Sequence, residues 1–446
     1  MQRARVPGWV WVVLGLAHVM ALTWALHSGH WNFPDSGRYR QAAANMVAHG
    51  QLYARSWPAE GPHGQAVQEF TIRPPGYPAV LVALGGFANN PWLVLLVQNG
   101  LSLLTLGTVL SRWARRTRPL LRQWVGALAL ILTFPAQLIY ANAVMSESFL
   151  QSLLLAAMVA ALVFYRTGRL RYWVGVAGAV TMALLLKPVC GLLAVGMAVS
   201  GLVLGWRKRQ LLLAVVGVLP LVVMGGYMAW NQQRTGYFHF SSITEINLLH
   251  YNAAGVVRQV EGPAVEDAWV ANVLRDANAQ GEFAARQQLI QTRAATVLLA
   301  HPWVYARQHL LGITAFFLDP GRFDVSEFLG LAPLAGGGLL VQVRVGGVWH
   351  AIKQLPLGML TVLLMILLAN VIRLVLAVRG FRRLGRGAGA GRAERWIAVG
   401  LLAYLALLTG PLGAARFLMP VWPLLLGLAL VGLYAPVTPE AGAANA

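Results

Sequence analysis

The sequence predicts an all-α polytopic membrane protein, with about ten transmembrane helices and amphipathic helices on its outer face. Three observations predict it: the composition, a series of apolar runs of spanning length, and the sorting of basic residues between alternate connecting segments. Of 446 residues, 57% are hydrophobic and only 11% charged, with a mean hydropathy of +0.60. A soluble domain is ~45–50% apolar and ~25% charged, so this much apolar surface has no polar shell to cover it. Soluble multidomain, disordered, collagen-like and coiled-coil chains are excluded on the same grounds. Cys190 is the single cysteine, which excludes an internal disulfide framework and a multi-cysteine metal site.

A span needs ~20 mostly apolar residues. Runs of this kind cover 8–26, 92–110, 124–140, 146–165, 172–186, 188–206, 211–230, 357–376, 396–412 and 417–434. The first is too long and too rich in Trp for a cleaved signal peptide, and no A-x-A-like site follows it. A shorter run, 77–87, ends at Asn89-Asn90-Pro91 and reads as an interfacial or re-entrant piece covering the outer face.

Loop charges support this count. Arg3 and Arg5 precede the first run, and Arg112, Arg115, Arg116, Arg118 and Arg122 follow the second. Arg166, Arg169 and Arg171 follow the fourth, and Arg207, Lys208 and Arg209 the sixth. Arg373, Arg379, Arg382, Arg383, Arg386, Arg392 and Arg395 flank the loop after the eighth. More than half of the 35 basic residues thus fall on one side of ten alternating spans, with only Glu394 and Glu440 among the acids. The positive-inside rule makes that side the cytoplasm and puts both termini there. It also accounts for most of the formal charge of +20 without nucleic acid. Lys187, Lys208 and Lys353 are the only lysines, a balance that suggests a GC-rich bacterial genome and hence a bacterial inner membrane.

The chain divides into an N-terminal membrane module, 1–230, whose first outer loop is 27–74; a long outer segment, 231–355; and C-terminal membrane helices, 356–446. In the first outer loop, Tyr39, Ala42, Ala43, Met46 and Val47 share one helical face. Asp35 or Ser36 is placed to cap that helix and Gly50 to stop it, giving an amphipathic helix on the outer membrane surface. In the second, His301-Pro302 starts another stripe, Trp303, Leu310, Leu311, Thr314, Phe317 and Leu318, again expected on the membrane. The Gly-rich tract 385–391 and the Ala-rich tail after Pro439 read as flexible.

Polar chemistry is confined to a few positions. Asp35 is open to two compatible readings: an N-cap, or a general base that takes a proton from an acceptor hydroxyl. Arg73-Pro74-Pro75-Gly76-Tyr77-Pro78 is the densest local signal. Its prolines fix an extended entry, and Gly76 permits close backbone approach. Arg73 is either a headgroup anchor or a rigidly held phosphate ligand. Glu147 opens the fourth run, where a carboxylate favours the helix dipole or marks function. Lys187-Pro188 breaks a long apolar stretch, and Arg416 precedes the last run. Either cation can snorkel to headgroups or bind phosphate. His27, His30, His49 and His63 form no metal pattern, and no Walker A loop, G-x-G-x-x-G or G-x-S-x-G is present.

In their order these motifs resemble the GT-C-fold glycosyltransferases, of the bacterial branch that includes protein O-mannosyltransferases and the lipid A aminoarabinose transferase. The resemblance rests on Asp35-Ser36-Gly37-Arg38-Tyr39 leading a helix to His49-Gly50 and Tyr53, then Arg73-Pro74-Pro75-Gly76-Tyr77-Pro78, then Ser146-Glu147, Leu186-Lys187-Pro188, His301-Pro302 and Arg416-Phe417-Leu418-Met419-Pro420. It spans most of the chain but not residues 231–300. It implies transfer of a sugar from a polyprenyl-phosphate donor to an acceptor glycan, lipid or protein at the outer, periplasmic face, with inversion. By the same resemblance Asp35 is the base or the acceptor-orienting group, and Glu147, from its place at the start of a span, is the second catalytic candidate. Arg73, Lys187 and Arg416 are candidates for the donor phosphate, with Tyr39, Tyr77 and His63 bordering the substrate. Several relatives carry two adjacent acids in the first loop, whereas Ser36 follows Asp35 here, so no metal and no cofactor are expected. A transporter or flippase of a polyprenyl-linked sugar is the alternative. It should show inverted repeats and broken helices near the midplane, and the sequence has no inverted repeat.

Overall fold

The computed structural model describes residues 5–88, 90–331, 349, 353, 355–386 and 390–434, most of them helical and none in a strand. The Ala-rich tail, the centre of the 385–391 tract and most of 332–354 lie outside the described residues.

The apolar runs become α1 (Gly8–Ser28), α4 (Trp92–Thr117), α5 (Leu121–Leu132), α7 (Glu147–Thr167), α8 (Leu170–Leu186), α9 (Gly191–Lys208), α10 (Leu211–Thr235), α17 (Leu357–Arg386), α18 (Ala390–Thr409) and a final span, Ala415–Leu433. Eight are long and apolar enough to cross a membrane, with Pro188–Cys190 prefixed to α9; α5 and α8 are shorter apolar helices. The run 124–140 is not one helix. It breaks at Thr133–Pro135 and resumes as α6 (Ala136–Ala141), because a proline cannot donate to the preceding turn. At 1.5 Å per residue α5 is ~18 Å long, short of the ~30 Å hydrocarbon core.

Close backbone packing sets the bundle. An added Cβ at Gly201 would lie 2.7 Å from Gly217 Cα, and one at Gly217 would lie 2.6 Å from Gly201 Cα, so glycine brings α9 and α10 together. Arg373 departs from the loop assignment above. It lies within α17, 1% exposed, donating to Leu130 O at 3.1 and 2.9 Å and to Thr133 Oγ1 at 2.5 Å. Its guanidinium lies 5.1 Å from the centroid of the Trp422 ring. It satisfies the Leu130 carbonyl at the α5–α6 break, where the helix ladder is interrupted.

The remaining helices form the end of the bundle that carries the long connecting segments. They are α2 (Ser36–His49), α3 (Gly76–Ala83), α11 (Ile243–Asn247), α12 (Ala254–Glu261), α13 (Pro263–Asn278), α14 (Phe283–Ala300), α15 (Pro302–Leu318) and α16 (Arg322–Leu329). α2 has the expected bounds, and Gly50 ends it with φ +64°. Its stripe, however, is spent on protein. Tyr39, Ala42 and Ala43 are buried, with Ala42 packed among Leu52, Ala54, Ile72 and Tyr227, while Val47 is exposed. The residues of the first outer loop fold back over that face and cover it. In α15 the stripe does stay open: Trp303, Leu310 and Leu311 are exposed, while Gln308, Gly312 and Phe316 face inward.

Candidate active site

The chain brings Asp35, Arg73, Glu147, Lys187 and Arg416 to one place. Asp35 Oδ1 accepts from Arg73 Nη2 at 2.5 Å, and Oδ2 from Arg416 Nη2 at 2.7 Å. Glu147 Oε1 accepts from Arg416 Nε and from Lys187 Nζ, each at 2.7 Å. Arg416 therefore bridges the two carboxylates, with Arg73 and Lys187 at the ends of the chain of charges. Three cations face two acids, which leaves a surplus of one positive charge.

Each member is held by its local sequence. A tight turn, Ser36 N–H to Phe33 O at 2.8 Å and Phe33 N–H to Ser36 Oγ at 3.0 Å, fixes the start of α2. Asp35 makes no side-chain capping bond to that helix. Asp35 stands at the N-cap position of α2, as expected, but its carboxylate is committed to the arginines and not to the helix. Burial alone would raise its pKa, but the guanidinium groups of Arg73 and Arg416 prevail and hold the carboxyl well below the usual carboxylate range. The Arg73 guanidinium, 4.7 Å from the centroid of the Tyr39 ring, is almost wholly enclosed.

Gly76 does what the motif required. A Cβ there would sit 2.6 Å from Leu185 O, so α3 presses on the last turn of α8. That contact sets the Arg73 segment against Lys187. Lys187 itself is extended (φ −145°, ψ 132°) between α8 and the Pro188–Cys190 turn, as a residue before proline must be. Arg416 follows Ala414, also extended, and Asp319 Oδ2 accepts the Ala415 N–H at 2.9 Å.

Beneath the cluster lies a polar network that the sequence reading missed. Gln98 Nε2 donates to Ala143 O at 2.7 Å, and Asn99 Nδ2 donates to Asn142 Oδ1 at 2.7 Å. Ser148 Oγ donates to Tyr140 O at 2.8 Å, and Gln151 Nε2 to Met419 O at 2.7 Å. These bonds pin the Asn142–Ser146 loop in front of Glu147 and the segment that follows Arg416. Gln98, Asn99 and Gln151 sit inside apolar runs, where a polar side chain is costly unless it is used; that was the available signal. Tyr140 donates to Asp324 Oδ1 at 2.8 Å, and burial, opposed by this bond and reinforced by Asp319, pushes the Asp324 carboxyl up to about 7. Nothing in the sequence pairs residues 140 and 324.

Tyr77 and His63 stand apart from the ion pairs. Tyr77 is fully buried, its hydroxyl donating to Gln98 Oε1 at 2.8 Å and its ring edge-on to Tyr39 at 5.0 Å. It supports Tyr39 from behind. His63 is exposed, with Nε2 3.0 Å from Glu60 O and no contact to the cluster among the described residues. Three buried polar atoms at the cluster have no partner among the described residues: Arg73 Nε, Ser146 Oγ and Glu147 Oε2. Buried groups of this kind are normally satisfied, and here two of the three can donate to a ligand. Among the described residues no group of three His, Cys, Asp or Glu side chains could hold a metal ion.

Fold and site together define a multi-pass helical membrane protein with a linked acid–cation cluster at one end of its bundle. No family model matches the chain, and no curated protein matches it. Among solved structures it is similar to ArnT from Cupriavidus metallidurans, both with undecaprenyl phosphate bound (16% identity, TM-score 0.38, 96% of this chain and 77% of that one) and in the apo state (16%, 0.37, 95% and 78%). It is also similar to the arabinosyltransferase EmbB from Mycobacterium smegmatis (16%, 0.31, 97% and 42%). At that identity and overlap the likeness carries no residue-by-residue correspondence.

Proposed function

We propose that the chain is a membrane glycosyltransferase that moves a sugar from a polyprenyl-phosphate-linked donor to an envelope acceptor at the outer face of a bacterial inner membrane. The observation that carries this reading is the cluster itself: Asp35 ion-paired to both Arg73 and Arg416, with Arg416 and Lys187 shared by buried Glu147. Charges this enclosed are costly unless used or fully paired, and the surplus is cationic. The order of the sequence motifs, which resembles the GT-C enzymes, points the same way.

The chemistry follows from the charges. A donor phosphodiester carries one negative charge, matching the surplus of one cation. When the C1–O bond to phosphate breaks, the leaving polyprenyl phosphate gains a second negative charge. Arg73, Lys187 and Arg416 are placed to stabilise that developing charge. The acceptor oxygen forms its bond to C1 from the opposite side, so the anomeric centre inverts, and the acceptor proton passes to Asp35. In the resting site Asp35 is a poor base because two guanidinium groups hold it ionised. A phosphate that draws Arg73 and Arg416 toward itself raises the proton affinity of Asp35. Donor binding and base strength are thereby linked through the same two arginines. Glu147 keeps Lys187 and Arg416 in place while the phosphate is bound.

The test uses purified protein in proteoliposomes with a panel of synthetic polyprenyl-phosphate sugars. Acceptor-dependent release of polyprenyl phosphate is the expected result. Passage of the intact donor across the bilayer with no release would replace this reading with that of a transporter.

A further inference from the structure

A second site lies at the other end of the bundle. Along α7, Arg166 stands ~28 Å from Glu147, and along α4, Arg115 stands ~25 Å from Gln98. Between these helix ends, α18 and the final span is a cavity of about 340 Å³. Arg112, Arg115, Arg116, Arg166, Glu394 and Trp113 line it. Glu394 takes two of the arginines, Arg112 at 3.4 Å and Arg116 at 3.0 Å. Arg115 and Arg166 have no carboxylate partner among the described residues, and both are exposed.

Two further features separate this cavity from a merely basic face. Its walls include the apolar side chains of Leu155, Met158 and Leu428. Trp113 is 3% exposed, and its indole N–H has no acceptor among the described residues. Buried donors of this kind are normally paired. The positive-inside rule explains why arginines lie on this side. It does not explain why they converge on a cavity with apolar walls.

We infer that this cavity binds the headgroup and upper chains of an anionic glycerophospholipid from the leaflet on the basic side. The phosphodiester meets Arg115 and Arg166, and the first methylenes lie on Leu155, Met158 and Leu428. The volume is at the low end of ligand pockets, ~300–1,000 Å³. It suits a headgroup with the start of its chains and is too small for a whole lipid. Basic pockets between helices on the cytoplasmic side are suited to such headgroups. A lipid held here would tie α4, α7, α18 and the final span together, far from the catalytic cluster and independently of what that cluster does.

The experiment is native mass spectrometry of the purified full chain titrated with dioleoyl phosphatidylglycerol, with dioleoyl phosphatidylcholine as the zwitterionic comparison. Phosphatidylglycerol should be retained in preference, and R115Q/R166Q should weaken it by about thirtyfold, the scale expected for two basic residues. The control R169Q/R207Q, which changes exposed basic residues outside the cavity, should retain the lipid. Circular dichroism establishes that both variants are folded. Unchanged retention in R115Q/R166Q overturns the proposal, as does equal loss in the control, which would mean diffuse attraction to the basic face. Displacement of the lipid by millimolar inorganic phosphate also overturns it, since the cavity would then be a site for free anions.

Discussion

The two ends of the helical bundle both collect arginines and put them to opposite uses. At the acid–cation end, Arg73 and Arg416 come from distant segments, are largely enclosed, and are bound to the carboxylates of Asp35 and Glu147 at 2.5–2.7 Å. At the basic end, Arg115 and Arg166 are exposed and outnumber the one carboxylate, Glu394. Exposed ion pairs contribute ~0–1 kcal/mol, whereas breaking an enclosed pair costs ~3–5 kcal/mol, because the remaining charge is left uncompensated. The same residue type is therefore bound into an enclosed network of carboxylates at one end and left largely exposed at the other. Burial and partners make the difference.

The comparison breaks most readily at Arg416. R416Q leaves Asp35 with Arg73 alone and Glu147 with Lys187 alone. It should lower stability by about 3 kcal/mol or more and abolish measurable sugar transfer. R118Q at the basic end should change neither. Thermal unfolding in detergent, paired with a transfer assay, measures both. Equal effects at the two ends would remove the distinction drawn here.

Gly76 gives the next largest effect. G76V must push α3 off Leu185 O, which separates the Arg73 segment from Lys187. Donor affinity should fall by roughly 10- to 100-fold, the range of one lost charge-assisted hydrogen bond. G100A, at a helical glycine with open space around it, should leave donor affinity unaltered. If G76V binds donor normally, the α3–α8 contact does not set the phosphate site.

A smaller effect is expected from Asp324. Its folded pKa is raised, to about 7, so between the unfolded carboxylate range and pH 7 the folded state holds a proton that the unfolded chain has lost. Stability should therefore fall as pH rises through that window and level off above it. The thermal midpoint measured from pH 5 to pH 8 should show this slope, and D324N should flatten it. A slope of equal size in D324N would assign the pH response to another group.

The smallest perturbation tests orientation. A279C, on the exposed end of α13, should react with an impermeant thiol reagent from outside, and Q210C, between α9 and α10, only from inside. Cys190 is buried and should not compete. The reverse pattern would move the acid–cation cluster to the cytoplasm.

The contrast also shows how far sequence reaches. The spans were legible because apolar length and loop charge are local properties. The bounds of α2, the extended residue before Pro188 and the role of Gly76 were legible because Pro and Gly act on their own backbone. Asp35, Arg73, Glu147, Lys187 and Arg416 could be named one by one, but their convergence depends on packing between segments up to 381 positions apart. The N-cap position of Asp35 was legible locally, but a local rule cannot see the two arginines that take up its carboxylate. Arg373, counted by its charge among the residues flanking the basic loop, lies inside the bundle, where the Leu130 carbonyl and the Thr133 hydroxyl at the Pro135 break take up its guanidinium. The link from Tyr140 to Asp324 left no local trace.

The central claim is that Asp35 acts as a base whose strength is set by the donor phosphate, and D35N tests it most directly. The substitution keeps the shape, removes the charge, and disturbs no helix cap, since Asp35 makes no capping bond. Turnover and donor affinity are measured on the same folded protein. The account predicts a loss of turnover of ~10²–10⁴-fold, the scale of losing general acid–base catalysis, with donor affinity unchanged or tighter because Arg73 and Arg416 are freed. Near-normal turnover in D35N, or a loss of donor affinity matching the loss of turnover, would contradict it.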